Sequence, residues 1–118
     1  MLPPPHRLRR DAAIRQIIRA GRGQYGTYLS IKWLATKNPT SRFCFVVANK
    51  VSKKANRRNL IRRRLSEIIR LHLAEIVSGV EVVVFAQAAS GVLEADYQQL
   101  EQDLLGILRR QKLYPPTP

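Results

Sequence analysis

The stretch KKANRRNLIRRRLSEIIR, residues 53 to 70, sets eight basic side chains against one acid, Glu67. On a helical wheel of about 100° per residue, Ile61, Leu65, Ile68, Ile69, His72, Leu73 and Ile76 fall within roughly 120°. Asn59, Arg63, Glu67 and Arg70 point the opposite way, with Arg62 on a flank. A stripe of that width commits the segment to a long helix lying on a core, ending near Ser78-Gly79. The other side of the helix is the puzzle. So many like charges within about five turns repel one another, and bases at a helix N-terminus have the wrong sign for its macrodipole.

The rest of the chain supplies the core that this helix needs. YLSIKWLA alternates, with Leu29, Ile31 and Trp33 on one side and Tyr28, Ser30 and Lys32 on the other, as in a half-buried strand. TKNPTS holds the turn signal Asn38-Pro39, and RFCFVVA follows as a second strand, predicted to pair with the first as an antiparallel hairpin. EVVVFAQA has the apolar density of a central strand. Asp11 is positioned to cap a short helix that stops at Gly21 and presents Ile14, Ile17 and Ile18 on one face. Leu93 to Lys112 forms a last amphipathic helix, acidic early and basic late. The predicted order is α-β-β-α-β-α, with room for an extra short strand near 24–28. That is an α+β fold, a two-layer sandwich of helices on a sheet. One domain over 1–118 is expected, with flexible tails at about 1–6 and 114–118, where the prolines cluster.

Charge is divided along the chain. Residues 1 to 66 carry 17 Lys and Arg and one acid, Asp11; residues 67 to 118 carry four bases and seven acids. A net charge of +13 so distributed marks a polyanion-binding surface, with nucleic acid ahead of anionic membrane. No apolar run approaches a membrane span, and no secretory leader precedes the domain, so a cytoplasmic location and no membrane partner are expected. Cys44 is the only cysteine and sits inside an apolar strand, where a packed thiol outweighs a nucleophile.

Catalytic groups are scarce. His6 lies in a tail and His72 on the apolar face of the long helix, and no Cys/His cluster has metal-ligand spacing. Glu101 and Asp103 could serve a metal nuclease, but a solvated helix face explains them more simply. No protein metal site and no catalytic side chain are expected. The basic cluster is the strong signal. Lys50, Lys53, Lys54, Arg57 and Arg58 crowd the start of the long helix, and Arg62 and Arg63 follow one turn on. A polyphosphate partner offsets both the repulsion and the dipole mismatch, and accepts bidentate bonds from guanidinium groups. Asn59 between them can reach a base edge or a ribose hydroxyl. Tyr28, Ser30 and Lys32 offer a stacking face, a hydroxyl and an ammonium to a single strand. These observations equally allow a structural RNA-binding protein, such as a small ribosomal protein.

VANKVSKKANRRNLIRRRLSEII resembles the signature of the bacterial ribonuclease P protein subunit. In that family a strand ending V-S-K-K leads through a basic loop into a helix opening R-N-[RK]-[ILV]-[KR]-R. Val47, Lys50, Val51, Ser52, Lys53, Lys54 and Ala55 match the loop; Arg58, Asn59, Ile61, Arg62 and Arg63 match the helix motif. The likeness spans about residues 6 to 113. The chain departs from the pattern at Leu60, where the family has a base, and at Ala48 and Asn49. It departs again at Ile14 and Ile18, in place of two cleft aromatics, and at Lys32, in place of a strand tyrosine. The resemblance implies a sandwich with a left-handed β-α-β crossover and a protein that assists a catalytic RNA in removing the 5′ leader of precursor tRNA. It implies Mg²⁺ held mainly by that RNA, and a protein that cleaves nothing alone. By position, Lys50, Lys53, Lys54, Arg57, Arg58, Asn59, Arg62 and Arg63 would contact the catalytic RNA. Ile14, Ile18, Tyr28, Ser30 and Lys32 would line a groove for the leader.

Overall fold

The computed structural model describes residues 2–116. A 3-10 turn at Pro4–His6 precedes helix α1 (Asp11–Ala20), strands β1 (Arg22–Tyr25), β2 (Leu29–Ala35) and β3 (Arg42–Val46), and the long helix α2 (Ala55–His72). A second 3-10 turn (Leu73–Glu75), strand β4 (Val80–Ala86) and helix α3 (Tyr97–Arg110) complete the chain. The extra strand expected near 24–28 is β1, shifted towards the N-terminus. The four strands form one sheet in the order β1-β2-β4-β3.

That order overturns the predicted hairpin between residues 28–35 and 42–48. β4 lies between them, antiparallel to β2 from Leu29↔Ala86 to Ala35↔Val80 and parallel to β3 from Arg42↔Glu81 to Val46↔Phe85. The cause is β4's own composition. Val82, Val83 and Val84 are all fully buried, so the strand is covered on both faces and belongs inside the sheet. The loop after β2 is held across the start of β4. Thr36 N–H donates to Gly79 O, and the buried Ser41 hydroxyl donates to Val77 O while accepting from Val80 N–H. Asn38-Pro39 thus turns the chain over one intervening strand instead of closing a two-strand ribbon.

Period two sorts the side chains onto two faces. Leu29, Ile31, Phe43, Val82 and Val84 face Ile61, Leu65, Ile68 and Ile69 of α2 and Leu100, Leu104, Ile107 and Leu108 of α3. This is the main core of the α+β sandwich. On the other face α1 lays Ile17 against Val83 and Leu8, with Ile14, Leu34, Cys44, Val46 and Phe85 around them. Cys44 is half-buried there, and burial pushes its thiol above the usual range, so it packs as a small hydrophobe.

The helix ends are instructive. α3 starts later than Leu93 because Asp96 and Gln99 form a reciprocal capping box, with Gln99 N–H on Asp96 and Asp96 N–H on Gln99. α1 starts at Asp11 itself, with Arg10 as the cap and no side-chain cap bond, so Asp11 acts only as a first-turn acid. α2 stops at His72, and Gly79 at φ +79° reverses the chain into β4.

The expected tails are also corrected within the described residues. Leu2 is buried in the main core, its N–H donating to Ser66 Oγ at 3.1 Å, and Arg7 Nε donates to Leu2 O at 2.6 Å. At the other end Tyr114 is buried, with its hydroxyl bonded to Glu75 at 3.0 Å. Apolar side chains at positions 2, 113 and 114 override the flanking prolines. Residues 1, 117 and 118 lie outside the described set.

Candidate nucleic-acid interface

Two surfaces gather the residues singled out by the sequence. The first is the start of α2. Lys54 is the N-cap and makes no side-chain cap bond, and the first turn holds no acid. Ser52 Oγ accepts from Lys54 N–H at 3.2 Å, and Arg58 Nη1 donates to Ser52 O at 2.8 Å, fastening the loop to the helix. Arg62 donates to Asn59 Oδ1, leaving the Asn59 amide hydrogens available. Lys50, Lys53, Lys54, Arg57 and Arg63 are exposed, and among the described residues none has a carboxylate within ion-pair distance. Glu67, the segment's one acid, is bonded to Arg70 at 2.9 Å, which holds its carboxyl at about 2. It is ionised throughout the physiological range and neutralises Arg70, one turn beyond the cluster. The contrast with the acid-capped α3 is sharp: Asn56 Oδ1 accepts from Arg57 N–H at 3.0 Å, and α2 turns its remaining first-turn N–H groups, its dipole and a ring of cations towards solvent. Exposed N–H groups and the positive end of the dipole favour anions at such a terminus.

The second surface is the α1 face of the sheet. Registers place Tyr25 opposite Ser30, Ser30 opposite Phe85, and Phe85 opposite Val46. These four form one row across all four strands. The next row is Gly23, Lys32, Val83 and Cys44. α1 covers Val83 with Ile17, leaving Ile14 half-buried and Ile18 41% exposed beside the row. Lys32 Nζ donates to Ile18 O at 3.0 Å, joining the strand to the C-terminal end of α1, where a cation suits the dipole. Ser30, Lys32, Ile14 and Ile18 therefore converge. Tyr28 does not: it lies in the turn before β2, packs on the main core and has Gly91 beside its ring. Tyr25, 73% exposed and opposite Ser30, takes the position foreseen for Tyr28. Phe85 also escapes a reading of the sequence alone. Its signal is present all the same, since in VVVFA it alternates with Val84 and so shares a face with Val83.

The acids of the last helix are otherwise engaged. Asp103 accepts from three successive backbone N–H groups, Thr27, Tyr28 and Leu29, at 2.8, 2.8 and 2.9 Å. Glu101 is 3.0 Å from His72 Nε2, and His72 Nδ1 is 2.8 Å from the Tyr114 hydroxyl. Among the described residues no three His, Cys, Asp or Glu side chains converge to hold a metal. No helix among them is long and apolar enough to cross a membrane.

A family described as Ribonuclease P matches residues 2–112, nearly the whole chain. The chain belongs to the ribonuclease P protein family. It is 38% identical to a ribonuclease P protein component from Pseudanabaena over 114 residues, covering 96% of this chain and 97% of that one. Its fold is that of the ribonuclease P protein of Staphylococcus aureus, with a TM-score of 0.84 at 20% identity over 93% of this chain and 98% of the other. The Thermotoga maritima ribonuclease P protein aligns with a TM-score of 0.77 at 29% identity, over 88% and 96%. Ribonuclease P is the ribonucleoprotein endonuclease that matures tRNA 5′ ends, and this chain is a protein subunit of that kind, with an RNA partner. That role explains a molecule rich in phosphate-binding groups whose Glu101 and Asp103 are spent on its own structure.

Proposed function

We propose that the start of α2 binds the catalytic RNA of ribonuclease P, and that the groove between α1 and the sheet holds the 5′ leader of precursor tRNA. The carrying observation is the unpaired cation cluster, Lys50, Lys53, Lys54, Arg57 and Arg63, around a helix N-terminus without a capping acid. Arg58, Asn59 and Arg62 complete this surface. Phosphates supply the missing first-turn acceptors and charges. In this reading Mg²⁺ is held mainly by the RNA, where phosphate oxygens supply hard ligands.

The groove reading rests on the row Tyr25, Ser30, Phe85 and Val46, flanked by Ile14, Ile18 and Lys32. Two aromatic rings, a hydroxyl and an ammonium on one strip suit a single strand with its bases against the sheet. Tyr25 and Phe85 thereby supply the stacking faces that Ile14 and Ile18 lack.

Reconstitution with a bacterial catalytic RNA at limiting Mg²⁺ tests the whole proposal. Adding the protein is expected to raise precursor-tRNA cleavage, and no stimulation would end this reading. Phe85→Leu tests the groove, since it removes the ring and keeps a large apolar side chain against the α1 core. Base–aromatic stacking is worth about 1–3 kcal/mol, so affinity for precursor should fall at least about 5-fold while mature tRNA is unaffected. Equal losses for both ligands would assign Phe85 a structural role only.

A further inference from the structure

Gly106 lies inside α3, where glycine is less stable than alanine. A Cβ built there meets nothing within 4 Å, so no neighbour in this chain requires the glycine. Gly26 is the opposite case: a Cβ there would stand 2.4 Å from Asp103 Oδ1. Gly106 thus keeps a patch of helix backbone bare towards solvent, at a cost that the fold does not recover.

The bare patch lies in a cavity of about 620 Å³ between the β1–β2 turn and α3. Its charge is positive. Arg110 is exposed and has no ion-pair partner among the described residues. Arg109 is oriented, with its guanidinium 5.2 Å from the centre of the Tyr114 ring and its Nε donating to Pro115 O at 3.2 Å. Its terminal amino groups remain as donors. The one carboxylate in the wall, Asp103, is already saturated by the N–H groups of the turn. Tyr25 belongs both to this cavity and to the row opposite Ser30, so the two surfaces meet around the free edge of β1.

We propose that this α3 surface is a second stretch of the leader path. A single strand leaving the groove at Tyr25 crosses the β1–β2 turn, lays its phosphodiester backbone against Gly106 and meets Arg109 and Arg110. The proposal rests on the groove reading above. A close backbone approach is the physical reason for a helix-interior glycine with open space over it, and guanidinium groups set the charge of what approaches.

The test uses the full chain reconstituted with the catalytic RNA, as Gly106→Ala, Gly106→Gln and Arg110→Ala. Two precursors are compared, one with a long leader and one whose leader is too short to pass Tyr25. Both glycine variants should melt about 4 °C higher, since they remove a helix-interior glycine without a clash. Gly106→Gln should nevertheless weaken binding of the long-leader precursor about 5- to 10-fold and leave the short-leader precursor unchanged. Arg110→Ala should flatten the salt dependence for the long leader by about 0.7 in slope. Unchanged affinity for both precursors, with Phe85→Leu still impaired, would overturn the α3 path and leave the groove standing. A loss independent of leader length would overturn it in favour of an interface with the catalytic RNA. A leader-length effect at Gly106 with a neutral Phe85→Leu would sink the groove reading and retain the α3 surface.

Discussion

Replacing Asp103 with alanine is expected to destabilise the protein by about 3 kcal/mol in urea unfolding, a large part of a typical domain's stability. Three successive N–H donors, those of Thr27, Tyr28 and Leu29, converge on this one carboxylate across more than 70 residues of sequence. Charge-assisted bonds of this kind are worth about 1.5–3 kcal/mol each. The sum is discounted because Thr27 is exposed and water replaces its partner readily. Leu29 is fully buried, so its N–H has the most to lose. Asp103→Asn should fall between the two, because one acceptor oxygen remains and the new NH₂ opposes an N–H. Gly26→Ala should resemble Asp103→Ala, since its Cβ would also stand 2.7 Å from Ile107 Cδ1. The functional consequence separates this clamp from mere ballast. The turn it holds carries Tyr25, so at a temperature where both proteins remain folded the variant should lose discrimination in favour of leader-bearing substrate. A change in stability below about 1 kcal/mol would show that the turn holds itself.

Asp103 also illustrates which parts of this molecule can be read from its sequence. Period 3.6 identifies α2 because Ile61, Leu65, Ile68 and Ile69 recur without interruption, and all four are buried. Period two likewise identifies β2, and an unbroken apolar run identifies β4. Pairing is a different matter, because nothing within the residues of β2 or β3 says whether they touch. The answer lies in β4, whose three consecutive buried valines demand a neighbour on each side. The cation cluster was legible because charge needs no tertiary partner to be seen. The groove was legible only in part. Ser30, Lys32, Ile14 and Ile18 come from segments with clear periodicity, whereas Tyr28 precedes its strand and turns out of the alternation. Tyr25 and Phe85 join the row through registers of β1 and β4, which no local pattern encodes. The carboxylates misled for the same reason. Glu101 and Asp103, two residues apart, look like part of a solvated helix face until folding brings their partners, His72 and the β1–β2 turn, up against them.

The largest functional effect is expected for Arg57→Ala combined with Arg63→Ala, and stability and binding should move in opposite directions. Both side chains are exposed, and among the described residues neither is bonded to another group. Without RNA they only add to the repulsion at the start of α2, and Arg57 also opposes the macrodipole of the first turn, an effect of about 0.3–1 kcal/mol. Alanine is moreover the better helix former. The free double variant should therefore be more stable by about 0.5–1 kcal/mol in urea unfolding. Its affinity for the catalytic RNA should fall at least about 100-fold, because two charge-assisted bonds to phosphate are removed, each worth about 1.5 kcal/mol or more. The log–log salt slope should become shallower by about 1.4–1.8, or about 0.7–0.9 for each phosphate no longer neutralised. Arg58→Ala is the informative contrast. Its guanidinium holds Ser52 O at 2.8 Å, so its removal should loosen the loop and lower stability and affinity together. A double variant that lost stability along with affinity would make Arg57 and Arg63 structural. One that kept both affinity and salt slope would move the RNA away from this helix. The opposed signs are the physical signature of a surface built for a partner: the same charges that strain the free protein hold the complex.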